Sequence, residues 1–263
     1  MSQRYYSGPT PSRGPSTLVT GLAWTLAVLA IALQIAFPLV DTASRATLAI
    51  ATVVVFYLAS VVHAGARHGL YGLLLVGLAV PLLGLAAEAV GVRTGIPFGD
   101  YSYGDALGPI LFEVPVVVPL AWAMMAYPTY IAASTLAVSR WWIALIGGWS
   151  LMAWDIFLDP MMVDLDGWTW LSAKSSLPGI PGIPLQNYAG WFLVGCIITA
   201  VLILLPRPHA SVNQPATLYL WVYLSSVLGS AVFFERPAVA WIGGIAMGVV
   251  ALPFAWRVWD RRT

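Results

Sequence analysis

Asp155 and Asp159 stand four residues apart, with Ile156-Phe157-Leu158 between them, in a largely apolar stretch of the chain. On a helix that spacing sets both carboxyl groups on one face, one turn apart. Pro160 disfavours helical geometry at Asp159, so the helix is expected to end about there. The negative end of the helix dipole, the neighbouring acid and a low dielectric would then all favour the protonated form of a carboxyl. The chemistry that suits such a pair is general-acid donation of a proton near neutral pH. A third acid, Glu88, lies in Leu85-Ala86-Ala87-Glu88-Ala89-Val90, where its neighbours in sequence offer no polar partner. A carboxylate at the centre of a membrane-spanning helix costs roughly 2.5–3.5 kcal/mol on insertion scales and is by default a functional candidate. The plainer roles are structural: a Glu that snorkels to the interface or bonds a neighbouring helix, and an Asp pair that pins a loop through backbone amides.

Aromatic residues crowd the same level: Trp149 and Trp154, then Trp168 and Trp170, then Tyr188 and Trp191. Singly, each suits the belt that Trp and Tyr form at membrane–water interfaces. Together they could line an apolar pocket whose ring faces stabilise a transient cation. His63, His68 and His209 lie away from the acids and show no metal-binding spacing. Neither a nucleophile elbow nor a phosphate-cradling glycine loop occurs. A lone cysteine, Cys196, supports neither a disulfide framework nor a thiolate metal cluster. No metal and no cofactor are expected.

The elements that hold these residues follow from composition. Of 263 residues, 60% are apolar and 9% charged, and the mean hydropathy is +0.84. A soluble domain carries about 25% charged residues, so a soluble enzyme and a disordered chain are both excluded. A net charge of +1 leaves no basic excess for nucleic acid. The chain reads as all-α, a polytopic transmembrane helical bundle of about eight spans, at 17–40, 46–62, 70–91, 114–138, 141–158, 188–205, 217–233 and 238–256. Most of these reach the ~20 residues that cross the hydrocarbon core; those at 46–62 and 217–233 are the shortest. Residues 1–16 read as a disordered tail, 17–257 as a single transmembrane domain and 258–263 as a second tail.

Arg4, Arg13, Arg67, Arg140, Arg207, Arg257, Arg261 and Arg262 fall on one side of this arrangement. Only Arg45, Arg93, Lys174 and Arg236 fall on the other. The positive-inside rule then makes both termini cytoplasmic in the cell membrane. Two long connections, 92–113 and 159–187, lie on the external side. Both are rich in Gly, Pro and aromatics, and ordered loops of that length are usually functional.

As an ordered set, several motifs resemble the membrane carotenoid hydratases typified by bisanhydrobacterioruberin hydratase and γ-carotene 1′,2′-hydratase. They are Glu88, then Pro97-Phe98-Gly99-x-Tyr101-x-Tyr103, Val114-Pro115 and Pro119-Leu120-x-Trp122. Asp155-x3-Asp159-Pro160-Met161, Trp168-x-Trp170 and Gly182-Ile183-Pro184-Leu185-x-Asn187-Tyr188-x-Gly190-Trp191 follow. The resemblance covers roughly residues 80 to 195. It implies cofactor-independent addition of water across the terminal isopropylidene double bond of an acyclic carotenoid. Either Asp155 or Asp159 would be the acid, Glu88 its partner or the group that orients water, and Tyr101, Tyr103 and Asn187 would hold that water. Trp168, Trp170, Tyr188 and Trp191 would bind the substrate end. The implied partners are the carotenoid, water, the lipid bilayer and other membrane enzymes of the same pathway. Three other readings stay open: an intramembrane prenyltransferase using the Asp pair for a metal diphosphate, a carotenoid cyclase, and a non-catalytic carotenoid-binding or transport protein.

Overall fold

The computed structural model describes residues 16–173, 175–205 and 212–260. Most of the two expected tails, together with Lys174, Arg207 and His209, lies outside the described residues. Among the described residues eight helices follow one another: α1 (Thr17–Ala36), α2 (Thr42–Leu74), α3 (Val80–Thr94), α4 (Val117–Leu136), α5 (Arg140–Asp164), α6 (Leu185–Leu202), α7 (Asn213–Leu228) and α8 (Pro237–Asp260). Each expected apolar run is largely helical. Two π-helical turns, Leu75–Ala79 and Gly229–Phe233, link α2 to α3 and extend α7. Four short strands were not expected from an all-α reading: β1 (Tyr101–Tyr103), β2 (Ile110–Leu111), β3 (Val114–Pro115) and β4 (Trp168–Trp170). They form two antiparallel pairs, β1 with β4 and β2 with β3.

Among the described residues, six helical stretches are long and apolar enough to cross a membrane. One of them, Thr42–Thr94, is 53 residues long, far beyond the ~20 residues of one crossing. It is broken at Gly69, whose φ of 61° and ψ of −147° belong to a region that essentially only glycine occupies. A single residue therefore does the work expected of a loop over 63–69. The fourth helix is not among the six. Tyr127, Pro128, Thr129, Tyr130 and Ser134 lower its apolar character, but it is buried without a break from Trp122 to Ala133. Its neighbours are α2, α3, α5, α6, α7 and α8, so it meets other helices where an outer helix would meet lipid.

The fifth helix corrects an expectation. It does not end at Asp159 but continues through Pro160 to Asp164. Proline removes one backbone donor yet fixes φ near the helical value, and Asp159 is held by three side-chain donors described below. Asp159 is thus internal to the helix, and the long connections run over 95–116 and 165–184. These lie at the same end of the bundle, because β1 and β4 come from different connections and pair.

The break at Gly69 gives the first prediction. Gly69→Ala should lower stability by about 1–3 kcal/mol, because the new side chain must adopt a glycine conformation. Gly21→Ala, inside α1 with open space around the new Cβ, should instead raise stability by about 0.5–1 kcal/mol. Thermal unfolding in detergent compares the two, and equal midpoints would refute the account of the break.

Candidate active site

Tyr101-Ser102-Tyr103 and Trp168-Thr169-Trp170 share an alternating pattern, and alternate residues of a strand share a face. The pairing sets Tyr101 opposite Trp170, Ser102 opposite Thr169 and Tyr103 opposite Trp168. Ser102 and Thr169 are exposed, whereas the four aromatics turn inward. Leu171 N donates to Asp100 O at 2.8 Å and Gly104 N to Gly167 O at 3.0 Å, which lengthens the ribbon at both ends. The result is a small lid over one end of the bundle.

Phe98 docks the lid. Its ring is buried and sits between Gly91 of α3 and Gly190 of α6. A Cβ on Gly91 would stand 2.7 Å from the ring and 2.9 Å from the Tyr101 hydroxyl, and one on Gly190 would stand 2.7 Å from the ring's other edge. Only glycine at both positions lets the loop come this close.

Beneath the lid the three acids are buried, with Asp155 and Asp159 at 0% exposure and Glu88 at 4%. Tyr101 and Tyr103 donate their hydroxyls to Glu88 Oε2 at 2.6 and 2.7 Å, and Trp122 Nε1 of α4 donates to Oε1 at 2.9 Å. Asp159 Oδ1 accepts from Trp168 Nε1 at 2.7 Å and Trp170 Nε1 at 2.9 Å. Asn187 of α6 donates its Nδ2 to Asp155 Oδ2 at 2.6 Å and to Asp159 Oδ2 at 2.7 Å. One amide thus bridges the two aspartates, which lie on one helix face as their spacing requires. Burial first, and the Glu88 carboxylate second, push both lid phenols well above their ordinary range. Tyr101 and Tyr103 therefore remain protonated donors. None of the three acids takes part in an ion pair among the described residues.

A cavity of about 440 Å³ opens beside this cluster. Glu88, Asp159 and Asn187 supply its polar end, and Tyr101, Tyr103, Trp168 and Trp170 reach it from the lid. Trp191 stacks on Trp122 with ring centres 3.8 Å apart and planes 17° from parallel, and Trp154 meets Trp191 edge-on at 5.8 Å. All three indoles line the cavity. Asp155 does not reach the wall. It is bonded by Asn187, and among the described residues its buried Oδ1 has no hydrogen-bond partner. Tyr188 is also off the wall, and its buried hydroxyl has no partner among the described residues. Trp149 is part-exposed and donates to Ala246 O at 2.8 Å, away from the cavity. Among the described residues, no group of three or more His, Cys, Asp or Glu side chains is placed to hold a metal ion. The arrangement can hold a proton on an acid pair at the polar end of an aromatic-walled, apolar space.

Residues 43–252 match the family model described as carotenoid biosynthesis protein. The chain belongs to this family. Over 131 residues this carotenoid biosynthesis protein is 36% identical to a bisanhydrobacterioruberin hydratase of Haloarcula japonica. The match takes in 48% of the chain and 42% of that relative's length, so it spans less than half of each. No solved structure matches.

Of the expected site residues in this carotenoid biosynthesis protein, all but Asp155 and Tyr188 reach the cavity. Trp122 has no expected role within its Pro119-Leu120-x-Trp122 motif, yet it both holds Glu88 and forms a wall. A buried indole needs an acceptor, and Trp122 on a helix following an isolated Glu was the available signal. Glu88 acts as a cross-link between α3, α4 and the lid. Glu88→Leu should orphan Tyr101, Tyr103 and Trp122, at roughly 1–3 kcal/mol for each buried donor. Thermal unfolding in detergent reads this loss, and a variant as stable as wild type would show that the donors do not depend on the acid.

Proposed function

We propose that this carotenoid biosynthesis protein is a hydratase that adds water across the terminal isopropylidene double bond of an acyclic carotenoid. The observation that carries the reading is the amide-bridged Asp155–Asp159 pair at the polar end of an aromatic-walled cavity. The acid of the pair that carries the proton gives it to the less substituted alkene carbon. The alkene electron pair forms the new C–H bond, which leaves a tertiary carbocation. The faces of Trp122, Trp191 and Trp154 stabilise that cation. Water adds to the cationic carbon and returns a proton to the carboxylate, so the reaction balances with water alone.

Asp159 is the better placed donor because it forms part of the cavity wall. Asp155 supports it through Asn187. The Tyr101 and Tyr103 hydroxyls spend their protons on Glu88, but each oxygen still has a lone pair with which to hold the attacking water. In this reading Glu88 orients that water through the two phenols. The bundle crosses the cell membrane eight times with both termini cytoplasmic, which places the lid on the external side.

Expression in cells that make an acyclic carotenoid, followed by product mass analysis, tests the proposal. Wild-type protein should add one water per modified end. Asp159→Asn should lower the hydration rate by roughly 10²–10⁴-fold, the usual contribution of a general acid. Asp155→Asn should lower it too, because the pair shares one bridging amide. Glu88→Gln should disturb the water-holding phenols. Wild-type rates in all three variants would overturn the assignment, and a carotenoid returned unchanged by the wild type would overturn the activity.

A further inference from the structure

The cavity extends well beyond the acids. From Asp159 and Trp191 it runs past α2 and α7 to a rim of five apolar side chains. Ile35 and Leu39 stand at the end of α1, and Leu224, Leu228 and Phe233 on α7 and its π turn. Each lines the cavity and is also exposed, from 47% at Phe233 to 68% at Leu39. The cavity therefore reaches the side of the bundle at this rim. The rim belongs to two stretches apolar and long enough to cross a membrane, Thr17–Leu39 and Asn213–Phe233. In a membrane spanned by these stretches the rim meets hydrocarbon.

Polar ties bound the opening below. Trp221 Nε1 donates to Gln34 Oε1 at 2.7 Å beside the rim residue Ile35, and Gln214 Nε2 donates to Ala23 O at 3.4 Å nearer the start of both helices, which fastens α7 to α1. Above, Arg236 pairs with Asp164 at the end of α5.

We propose that this lateral mouth between α1 and α7 is the entry and the seat of the substrate's polyene chain, an inference that rests on reading the site as one for acyclic carotenoids. A cavity of about 440 Å³ is of a size that suits a small ligand, so it holds one end of a long polyene and the remainder must leave. Leaving through the mouth keeps the apolar chain in hydrocarbon, whereas leaving through the lid would place it in water at a cost proportional to its area. The end-group meets the acids while the conjugated chain lies out in the bilayer.

The test measures carotenoid retained per mole of full-length protein purified from cells that make an acyclic carotenoid, read by visible absorbance. Ser226→Trp, at a cavity-lining position of α7 between Leu224 and Leu228, fills the mouth, and Leu228→Glu places a charge on its rim. Each should retain roughly tenfold less polyene than wild type, a loss equivalent to about 1.4 kcal/mol. Val249→Trp, on the exposed face of α8, controls for bulk on the outer surface and should retain the wild-type amount. If one mouth variant aggregates, the other decides. Wild-type retention in the folded mouth variants overturns the mouth. Wild-type protein that retains polyene through the mouth but adds no water overturns the hydratase reading and leaves the mouth standing. Mouth variants that still retain and hydrate the polyene do the reverse.

Discussion

Three carboxyl groups are buried together and, among the described residues, form no ion pair, and the surrounding architecture answers that one constraint. A buried acid without partners is strongly unfavourable, and a membrane interior offers little water to relieve it. The chain meets the need with neutral donors: two phenols, three indoles and one amide. Those donors cannot come from the helices that carry the acids, whose nearby residues are mostly apolar. They come from α4, from α6 and from a ribbon made of two distant loops. The ribbon must alternate large aromatics with small polar residues so that one face points down. It must also be pinned, which is why Phe98 is wedged where Gly91 and Gly190 carry no side chains.

The choice of neutral donors also shapes the chemistry. In the proposed hydratase reaction, a lysine or arginine beside the aspartates would pair with them and oppose the carbocation. Indole and phenol donors satisfy the oxygens yet present ring faces that favour positive charge. Trp122 performs both tasks, since its N–H is committed to Glu88 while its ring stacks on Trp191. Such a side chain belongs on a rigid support, and α4 is the helix most completely surrounded by other helices.

Much of this was legible in the chain, for reasons that differ from residue to residue. The four-residue spacing of Asp155 and Asp159 fixes their shared face on any helix, and Glu88 stands out because it is an acid in an apolar run. The helices themselves follow from the length of the apolar stretches. Less was readable where tertiary contacts override local preference. Pro160 marks a stop by its local sterics, but side-chain donors hold Asp159 inside a helix that continues. The Tyr-x-Tyr and Trp-x-Trp segments carry the period of a strand, yet two three-residue strands become recognisable only when they pair across the fold. Gly69 hides a helix break behind a sequence that reads as a loop. Asp155 and Tyr188 look equivalent to their neighbours in sequence, and only the fold sets them off the cavity wall.

The lid ribbon has a consequence for how the protein comes to be made. Its two strands are delivered by connections with α4 and α5 between them, and Asn187 arrives only with α6. During synthesis, Glu88 and the two aspartates are therefore threaded into the bilayer before the groups that satisfy them are in place. If one of α4 and α5 failed to cross, β1 and β4 would be stranded on opposite faces and none of the three acids would be fully dressed. Pairing of the two strands thus requires that both helices between them have crossed.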